Sequence, residues 1–546
     1  AGLSRTLVDT PDETFVANAV VTDAPFNADP TGSADSTGAF QQALNAVSQI
    51  GGGTVYAPPG QYRLNSGIVV PASVSLVGSW ESPLEGGSGS GTILKCFQAP
   101  AANDATSITA TAFIHLAGDN SGLSNLSVWY PNQNATSPSP YAFTIRDGST
   151  INSIRNITLY NSYNGIHRTN ASLHLGANIY ATCLKRGMVV GGNFEYSHIY
   201  NIVIDNAVWS NAPKLVISNA PDTPTELATL NAYTGNNLRG IQIGTNDGMQ
   251  VYGVTVNNAK EGLIVERLVG DLGTDTTSYN GFFSKIDAQI SDIGEAYRTP
   301  NELHYQNSDW IPETSAMQYD FASRRKPAKT DNSSFFDVTT YGAIGNGLAD
   351  DTTAIQAALN AAGSAGGGTV YLPNGQFKVL GHLAVPSGVQ LIGSAGKRPF
   401  STWIAPCVLL AYEGRNTASP DSDTAFITLS PNAGIRGFRI TYPEQGFGSI
   451  AKPVVPYPYT IRGMGANVWV TGINYLNAYN FIDFHTNRCD SHFFADSWGV
   501  AYNIGARIGG DSDNGKIERV GFSWAQNSNS FRQNGGANDI ATHREY

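Results

Sequence analysis

One phrase occurs twice in this chain of 546 residues, and its repetition constrains the fold more than any other feature. Residues 51–64 read GGGTVYAPPGQYRL, and residues 366–379 read GGGTVYLPNGQFKV. The similarity extends outward, because AFQQALNA and AIQAALNA precede the two phrases while VPASVSLVG and VPSGVQLIG follow them, all at an offset of 315. Gaps of a few residues keep the halves aligned as far as Trp209 and Trp524, so the chain is a tandem duplication.

Short strands dominate the pattern inside each copy. Segments such as GIRGFRITY, ANVWVTGINYL and GKIERVGFSW alternate apolar with polar residues and recur about every 20–25 residues. Helical periodicity occurs only near the start of each copy, where Phe40, Leu44 and Val47 form one stripe and Ile355 and Leu359 another. A helix followed by evenly spaced strands is typical of a solenoid with a covered end. The predicted fold is therefore all-β, with two tandem right-handed parallel β-helices, each with an N-terminal capping helix.

A polar, basic segment separates the two copies and is typical of a linker. We accordingly place a first β-helix domain at residues 1–320, the linker at 321–335 and a second β-helix domain at 336–546. Fewer residues follow Trp524 in the second copy than follow Trp209 in the first. This difference fits either a shorter second domain or a missing C-terminal end.

Composition excludes several classes of partner. The formal net charge is −11 with only 32 Lys and Arg residues, which argues against nucleic acid and anionic membranes as partners. No apolar run is long enough to span a bilayer. The four cysteines match no metal-binding spacing, so we expect buried thiols or one or two disulfides, and neither a metal nor another cofactor.

The motif VTTYGAIGNGLADDTTAIQAALNAAGSAGGGTVYLPNGQF, residues 338–377, resembles the N-terminal signature of the pectate-lyase-like β-helix superfamily. Lyases, glycoside hydrolases, epimerases and phage tailspikes share that signature, so it implies a fold and not a reaction. Two copies joined by a short linker resemble glycoside hydrolase family 55, the β-1,3-glucanases. That resemblance implies a secreted enzyme with substrate bound between two β-helices, which hydrolyses its substrate with inversion and uses a glutamic acid as general acid.

An inverting glycosidase needs a proton donor and a second polar group that holds a water molecule. The second copy offers FHTNRCDSHFFADSWG and, one coil later, GGDSDNG. We predict Asp511 or Asp513 as the acid, with Asp490 and His492 orienting substrate or water. The predicted substrate-binding residues are Trp498, His485 and Asp496 in the second copy, and His174, Glu195, Ser197 and His198 on aligned coils of the first.

The same residues also have a structural interpretation. GDSDNG has the composition of a tight turn, and His174 and His492 recur between the copies, as residues that serve the fold do. The chain also departs from family 55, in which the general acid is a glutamate. Residues 447–516 contain no Glu, Glu518 lies in the predicted strand that follows them, and Glu545 is the penultimate residue. An aspartate acid, an acid beyond the end of this sequence, or another activity would each fit that departure.

Three functions fit the sequence. The first is a β-1,3-glucan hydrolase, and the second is a polyuronide lyase, for which Arg507 and Lys516 near the acidic pair supply positive charge. The third is a non-enzymatic β-helix rod. Tailspikes usually carry one β-helix and trimerise, whereas a duplicated chain supplies its own neighbour. This difference favours a monomeric enzyme whose partner is a polysaccharide or oligosaccharide.

Overall fold

The computed structural model describes residues 3, 5–11, 13–83, 89–101, 111–169, 174–192, 197–266, 279–287, 290–291, 303–306, 325–394, 406–446 and 453–522. The chain divides into two compact units. The first unit comprises residues 1–4, 18–49 and 54–318, and the second comprises residues 5–17, 50–53 and 319–546. Trp524 and Glu545 lie outside the described residues.

The N-terminal hairpin consists of β1 (Thr6–Asp9) and β2 (Thr14–Ala17). The helices are α1 (Thr37–Gln49), α2 (Ala207–Ser210), α3 (Pro224–Asn237) and α4 (Thr352–Ser364). The first large sheet contains β3 (Ala19–Val20), β4 (Gly53–Tyr56), β5 (Gly60–Leu64), β6 (Ile68–Val70), β7 (Val74–Val77), β8 (Thr92–Cys96), β9 (Ile114–Leu116), β10 (Gly122–Trp129), β11 (Phe143–Asp147), β12 (Ser153–Thr169), β13 (Leu175–Gly191), β14 (His198–Ile204), β15 (Arg239–Ile243), β16 (Asn246–Val256), β17 (Glu261–Val265), β18 (Tyr279–Asp287), β19 (Ile290–Ser291) and β20 (Leu303–Gln306). The second large sheet contains β21 (Phe335–Asp337), β22 (Asn346–Asp350), β23 (Gly368–Leu372), β24 (Gly375–Val379), β25 (Leu383–Val385), β26 (Val389–Gly393), β27 (Cys407–Ala411), β28 (Ile427–Leu429), β29 (Gly434–Thr441), β30 (Tyr459–Gly463), β31 (Trp469–Phe484), β32 (Phe493–Ile508) and β33 (Lys516–Phe522).

Both large sheets are parallel, and their strands pair from one coil of the chain to the next. In the first sheet, one inward column of paired residues runs through Leu126, Ile157, Ile179, Ile202 and Val254. All five side chains are buried. Neighbouring strands lie about 4.8 Å apart, so like residues stack directly on each other and fill the core. The predicted all-β class with parallel pairing is confirmed, whereas the handedness and the capping role of the helices stay predictions.

The second sheet repeats this arrangement and adds a well-defined outward face. Its inward column includes Leu391, Ile435, Val470 and Phe494, all buried. The outward column beside it runs through Tyr371, Ile392, Arg436, Thr471, Ala495 and Glu518. This outward column connects the start of the second unit with its last described strand.

The duplication read from the sequence recurs in the elements of the structure. Helices α1 and α4 each have 13 residues and begin at Thr37 and Thr352, an offset of 315. Strands β14 and β33 begin at His198 and Lys516, an offset of 318. The predicted helical stripes are confirmed, because Phe40, Leu44, Val47, Ile355 and Leu359 are all buried in α1 and α4.

A ladder of asparagines fixes the register of the first sheet. Asn125, Asn156, Asn178 and Asn201 have φ angles of 61°, 52°, 55° and 51°. Asn tolerates this left-handed conformation better than most residues do. The Nδ2 group of each residue donates to Oδ1 of its predecessor at 2.7, 2.8 and 3.1 Å. The bend in each coil is thereby tied to the bend of the coil before it.

The second sheet makes the same bend without this ladder. Its corresponding positions are Gly437, Gly472 and Asp496, which follow the paired residues Arg436, Thr471 and Ala495. Their φ angles are 74°, 59° and 50°. Two glycines and one aspartate therefore replace three stacked amides.

The N-terminal hairpin belongs to the second unit and covers the start of its outward face. A buried apolar cluster consists of Leu7, Val16, Tyr371 and Ile392, with Phe335 packed against it. Arg436 donates from one terminal nitrogen to the Thr14 carbonyl at 2.7 Å, and its guanidinium pairs with Glu13. The hairpin therefore shields the first three residues of the outward column that ends at Glu518.

We expect Asn156→Gly to lower the free energy of unfolding by about 1–3 kcal/mol, because two ladder hydrogen bonds are lost. Asn156→Ala should cost a further ~1–2 kcal/mol, since alanine disfavours the left-handed backbone that glycine accepts. Urea unfolding of both variants measures the two effects. Equal stability of the two variants would contradict a left-handed bend at this position.

A buried ion pair provides a second test of the fold. Arg168 and Asp147 are both fully buried, and Nε and Nη2 of the arginine lie 2.9 and 2.7 Å from the same carboxylate oxygen. Asn152 donates to the other oxygen at 2.6 Å. Removing one partner leaves a buried charge without compensation, so Asp147→Asn should cost about 3–5 kcal/mol of stability. Exposed Asp222→Asn is the control, and a comparable loss in that variant would show that the effect is not specific to burial.

Candidate functional site

The predicted acids lie in a tight turn between β32 and β33. Gly510, Asp511 and Asn514 have φ angles of 64°, 58° and 58°, which is the left-handed conformation that such turns require. Asp511 is exposed, and 71% of the Asp513 side chain is accessible to solvent. His485 packs against this turn, because a Cβ on Gly509 would lie 2.5 Å from its Nδ1. The predicted residues Asp511, Asp513 and His485 therefore lie close together, but in an exposed turn.

Asp490 stabilises this turn through hydrogen bonds. Its carboxylate accepts from the backbone N–H of Asp513 at 2.8 Å and from Nε of Arg488 at 3.0 and 2.8 Å. Arg488 also reaches the Asp513 carboxylate at 3.2 Å. The backbone hydrogen bond and then the arginine hold the pKa of Asp490 below its ordinary value. Asp490 is thus held as an anion that organises the turn, which disfavours it as a proton donor.

The two aligned histidines occupy equivalent places in their coils. The His174 carbonyl accepts from the N–H of His198 at 2.9 Å, and the His492 carbonyl accepts from the N–H of Lys516 at 2.9 Å. All three histidines, together with Ser197, are buried. Nδ1 of His492 lies 2.8 Å from the Cys489 carbonyl, and burial lowers the pKa of its imidazole. Glu195, the remaining predicted binding residue of the first copy, lies outside the described residues.

A second group of polar residues lies on the outward face of the second sheet. Lys516 and Glu518 are two residues apart in β33 and form an ion pair at 2.8 Å. Glu518 pairs in register with Ala495, so it stands beside the residue that precedes Asp496. Asp496 is buried and so is Trp498, two residues along the same strand. Asp496 and Glu518 therefore lie on adjacent paired strands, whose backbones are about 4.8 Å apart.

A buried cation lies in register with Trp498, two strands earlier. Arg439, Asn474 and Trp498 are paired in register on β29, β31 and β32. Nε of Arg439 donates to Oδ1 of Asn474 at 2.6 Å, and Nδ2 of Asn474 donates to the Trp498 carbonyl at 3.1 Å. Burial lowers the pKa of Arg439 to about 10. A guanidinium in such surroundings is suited to bind an anionic group.

Sequence reasoning did not single out Arg439 and Asn474. The left-handed residue in each coil shifts the inward and outward alternation by one position, so simple alternation assigns the residues after it to the wrong face. The offset between the copies could have found them. It aligns Trp498, with which Arg439 and Asn474 are in register, with Tyr180 on the outward face of β13. Tyr180 stacks on Trp80 with ring centroids 5.8 Å apart.

Within the described part of the chain, no group of three or more His, Cys, Asp or Glu side chains could hold a metal ion. The four cysteines all fall in that part, where each is free and buried, so the expectation of buried thiols is confirmed. None of the described helices is both long enough and apolar enough to cross a membrane.

Comparison with known proteins gives one family match. Residues 21–264 and 335–405 match the family described as rhamnogalacturonase A/epimerase, pectate lyase-like. The matched ranges include the start of both copies and more than half of the chain.

Curated relatives match over a short stretch only. Mannuronan C5-epimerase AlgE1 of Azotobacter vinelandii is 47% identical over 66 residues, which is 11% of this chain and 5% of that protein. Alginate lyase 7 of the same organism is 51% identical over 59 residues, which is 11% of this chain and 7% of that protein. The chain thus spans less than a tenth of the length of either relative.

Similar solved structures are distant. The exopolygalacturonase of Thermotoga maritima is 8% identical with a TM-score of 0.31, over 95% of this chain and 94% of that one. The A-module of mannuronan C-5 epimerase AlgE4 from Azotobacter vinelandii is 12% identical with a TM-score of 0.22, over 92% and 96%. TM-scores this low do not support a comparison of function.

The lowered pKa of His492 predicts a pH-dependent stability. The unfolded chain has the ordinary imidazole pKa of about 6.5 and therefore binds a proton before the folded chain does as the pH falls. The contribution of His492 is complete above that pKa and is lost as the pH falls below it. We expect the free energy of unfolding to decrease between about pH 7 and about pH 5, and His492→Gln to reduce this decrease.

Urea unfolding at several pH values measures the slope for the wild-type chain and for both variants. Asn514→Gly, in the neighbouring turn and exposed, removes no titratable group, so it is the control and should keep the wild-type slope. An unchanged slope in His492→Gln would contradict a buried neutral imidazole.

Proposed function

Because the chain belongs to the rhamnogalacturonase A/epimerase family of pectate-lyase-like proteins, we propose that it is a carbohydrate-active enzyme that acts on a polysaccharide. We propose that its two parallel sheets are two right-handed β-helices, each capped by its N-terminal helix. The first candidate reaction is hydrolysis of β-1,3-glucan with inversion, by an extracellular monomer without a cofactor. The tandem copies within one chain support this candidate, since they resemble the organisation of glycoside hydrolase family 55.

The outward face of the second sheet is the proposed catalytic surface. The observation that carries the proposal is the presence of two carboxylates, on Asp496 and Glu518, on adjacent paired strands, with Trp498 two residues after Asp496. We propose Asp496, which is buried where water is excluded, as the proton donor, and Glu518, which pairs with Lys516, as the base that activates water.

This assignment differs from the one read from the sequence, which uses Asp511 or Asp513 as acid and Asp490 with His492 as orienting groups. Both assignments fit inversion without a cofactor. The exposed position of Asp511 and Asp513 favours the outward face, because an acid that protonates a leaving oxygen works best where water is excluded. Variants of both groups therefore belong in one experiment.

A polyuronide is the second candidate substrate. Lys516 places a cation beside Glu518, Arg439 places another in register with Trp498, and a guanidinium binds a uronate carboxylate well. The similar proteins include mannuronan epimerases and an alginate lyase, which further supports an acidic polysaccharide. In that reaction a cation neutralises the uronate carboxylate while a base removes the proton beside it.

The substrate test incubates the purified chain with laminarin, polygalacturonate and polymannuronate. Reducing sugar, the ultraviolet absorbance of an unsaturated product and the proton NMR spectrum of the polymer are followed. Glucose or short glucans from laminarin establish the first candidate. An unsaturated or epimerised uronate establishes the second. No change in any of the three polymers would contradict a polysaccharide-acting enzyme of either kind.

The residue test compares Asp496→Asn and Glu518→Gln with Asp511→Asn and Asp513→Asn on the polymer that reacts. We expect the first two to lower kcat by about 100-fold or more, because each removes a group that transfers a proton. The two turn variants should retain most of the activity. Asp496→Asn should fold normally, since asparagine occupies the corresponding left-handed position at Asn178. Full activity in both outward-face variants, or loss only in the turn variants, would return the assignment to Asp511 and Asp513.

A further inference from the structure

Five Asn-x-Ser/Thr triplets occur in the chain, and none of them contains a residue assigned above to catalysis or substrate binding. They begin at Asn125, Asn134, Asn156, Asn170 and Asn332. Such a triplet is an acceptor for an N-linked glycan, and triplets that carry one lie in surface loops of secreted proteins. Asn170 lies outside the described residues, so the structure distinguishes among the other four.

Two of these four triplets are built into the first sheet. Asn125 and Asn156 belong to the asparagine ladder, where Nδ2 of Asn156 donates to Oδ1 of Asn125 at 2.7 Å. Asn125 is fully buried. The hydroxyl of Thr158, the third residue of the Asn156 triplet, is buried and accepts from Nε1 of Trp80 at 2.8 Å. A glycan on either amide would break the ladder, so we expect a folded chain to carry none there.

The triplet at Asn332 has an exposed asparagine but a buried hydroxyl. Asn332 begins a short 3-10 helix that ends at Ser334. Ser334 is buried, and its hydroxyl donates to the Asp331 carbonyl at 2.5 Å. Because a hydroxyl group has one proton to donate, Ser334 has none left for the amide of Asn332.

The triplet at Asn134 differs from the other three in both respects. Asn134 and Thr136 are both exposed. Oδ1 of Asn134 accepts from the hydroxyl and from the N–H of Thr136, each at 2.8 Å, and from the N–H of Ser137 at 3.3 Å. Nδ2 of Asn134 takes part in no hydrogen bond among the described residues. The amide is therefore held through its oxygen, and its nitrogen is left to the solvent.

The loop that carries this triplet is braced at its base. Gln133 is buried, and its Oε1 accepts from the N–H of Asn134 at 3.1 Å and of Ser139 at 2.8 Å. Its Nε2 donates to the Ser139 carbonyl at 3.0 Å, and Nδ2 of Asn219 donates to the Gln133 carbonyl at 2.8 Å. The Asn134 side chain takes no part in these bonds, so a glycan on Asn134 leaves the brace intact.

We propose that Asn134 is the residue on which this chain carries an N-linked glycan. In that reaction Nδ2 attacks the anomeric carbon of a sugar that is activated as a lipid diphosphate. The new C–N bond replaces the C–O bond to the diphosphate, which leaves with the electron pair, while a base of the transferase takes a proton from Nδ2. Negative charge develops on Oδ1 as that proton leaves, and the two donors of Thr136 stabilise it.

The range of the hydrogen bonds also favours Asn134. The Thr136 bonds join residues two apart, so this turn forms locally and does not need the completed sheet. The ladder bond between Asn125 and Asn156 joins residues 31 apart and needs two finished coils. Asn134 can therefore present the same geometry to a transferase in the growing chain and in the folded one.

Site mapping on the full chain, secreted from a yeast host, tests the proposal, which rests on the extracellular location proposed above. Peptide-N-glycosidase in heavy-oxygen water converts each glycosylated asparagine into an isotope-labelled aspartate, which peptide mass spectrometry locates. We expect a label on Asn134 in most molecules and none on Asn125, Asn156 or Asn332. An unlabelled Asn134, or a label on any of the other three, would overturn the assignment.

Variants of the turn separate its two parts. Asn134→Gln removes the acceptor nitrogen, and Thr136→Ala removes the hydroxyl donor, so each should abolish the glycan. Thr136→Ser keeps a hydroxyl and should retain it. Asn132→Gln changes an exposed asparagine of the same loop outside any triplet, so it is the matched control. Full occupancy of Asn134 in Thr136→Ala would contradict the role given to the Thr136 hydroxyl.

The glycosylation site and the proposed reaction can fail independently. Asn134→Gln should retain the wild-type kcat on whichever polymer reacts, since it changes no residue of the catalytic surface. Turnover by a chain with an unmodified Asn134 would overturn the glycosylation site alone. A glycan on Asn134 in a chain that turns over none of the polymers would overturn the proposed reaction alone.

Discussion

Hydrogen bonding between one coil and the next, in a fixed parallel register, is the constraint on which every other feature depends. A slip of one residue would exchange the inward and outward faces of a whole strand. In the first unit the chain holds this register with stacked amides at Asn125, Asn156, Asn178 and Asn201. Each amide satisfies its neighbour while it stabilises a left-handed bend. The core columns and the outward columns then follow from that single alignment.

Much of this architecture depends on residues that are close together in the sequence, and it could be predicted from the sequence. The duplicated phrase located α1 and α4, and their buried stripes follow from helical periodicity alone. Strands β29 and β33 fall within segments that alternate apolar with polar residues, and β31 begins in another such segment. Such features depend on neighbours a few residues apart, so one sequence is sufficient to find them.

The remaining features depend on contacts between residues far apart in the chain. The assignment of residues 5–17 to the second unit rests on packing against Tyr371 and Ile392, for which the hairpin sequence carries no signal. Composition identified GDSDNG as a turn or an acidic site, and only the hydrogen bonds of Asp490 show how strongly it serves the turn. Arg439 was missed because its burial depends on a face that the left-handed bend reassigns.

The two copies use the same position for different purposes. Asn178 contributes to the ladder of the first sheet, and the matching position of the second sheet holds Asp496 above two glycines. The second sheet retains the bend through glycine, which accepts the left-handed conformation and has no side chain that needs a hydrogen-bond partner. Duplication therefore leaves one copy to maintain a structural amide while the other can carry a carboxyl group.

The hairpin has a consequence for biosynthesis. Leu7 emerges from the ribosome long before Tyr371, the residue against which it packs. The intervening chain of about 360 residues takes roughly 20–70 s at a synthesis rate of ~5–20 residues per second. Throughout that time the hairpin is a free strand pair, too small to be stable by itself. The hairpin therefore packs only after the strands of the second unit that it covers have been made, and a chain that lacks residues 5–17 would expose the apolar side chains of Tyr371 and Ile392 to the solvent.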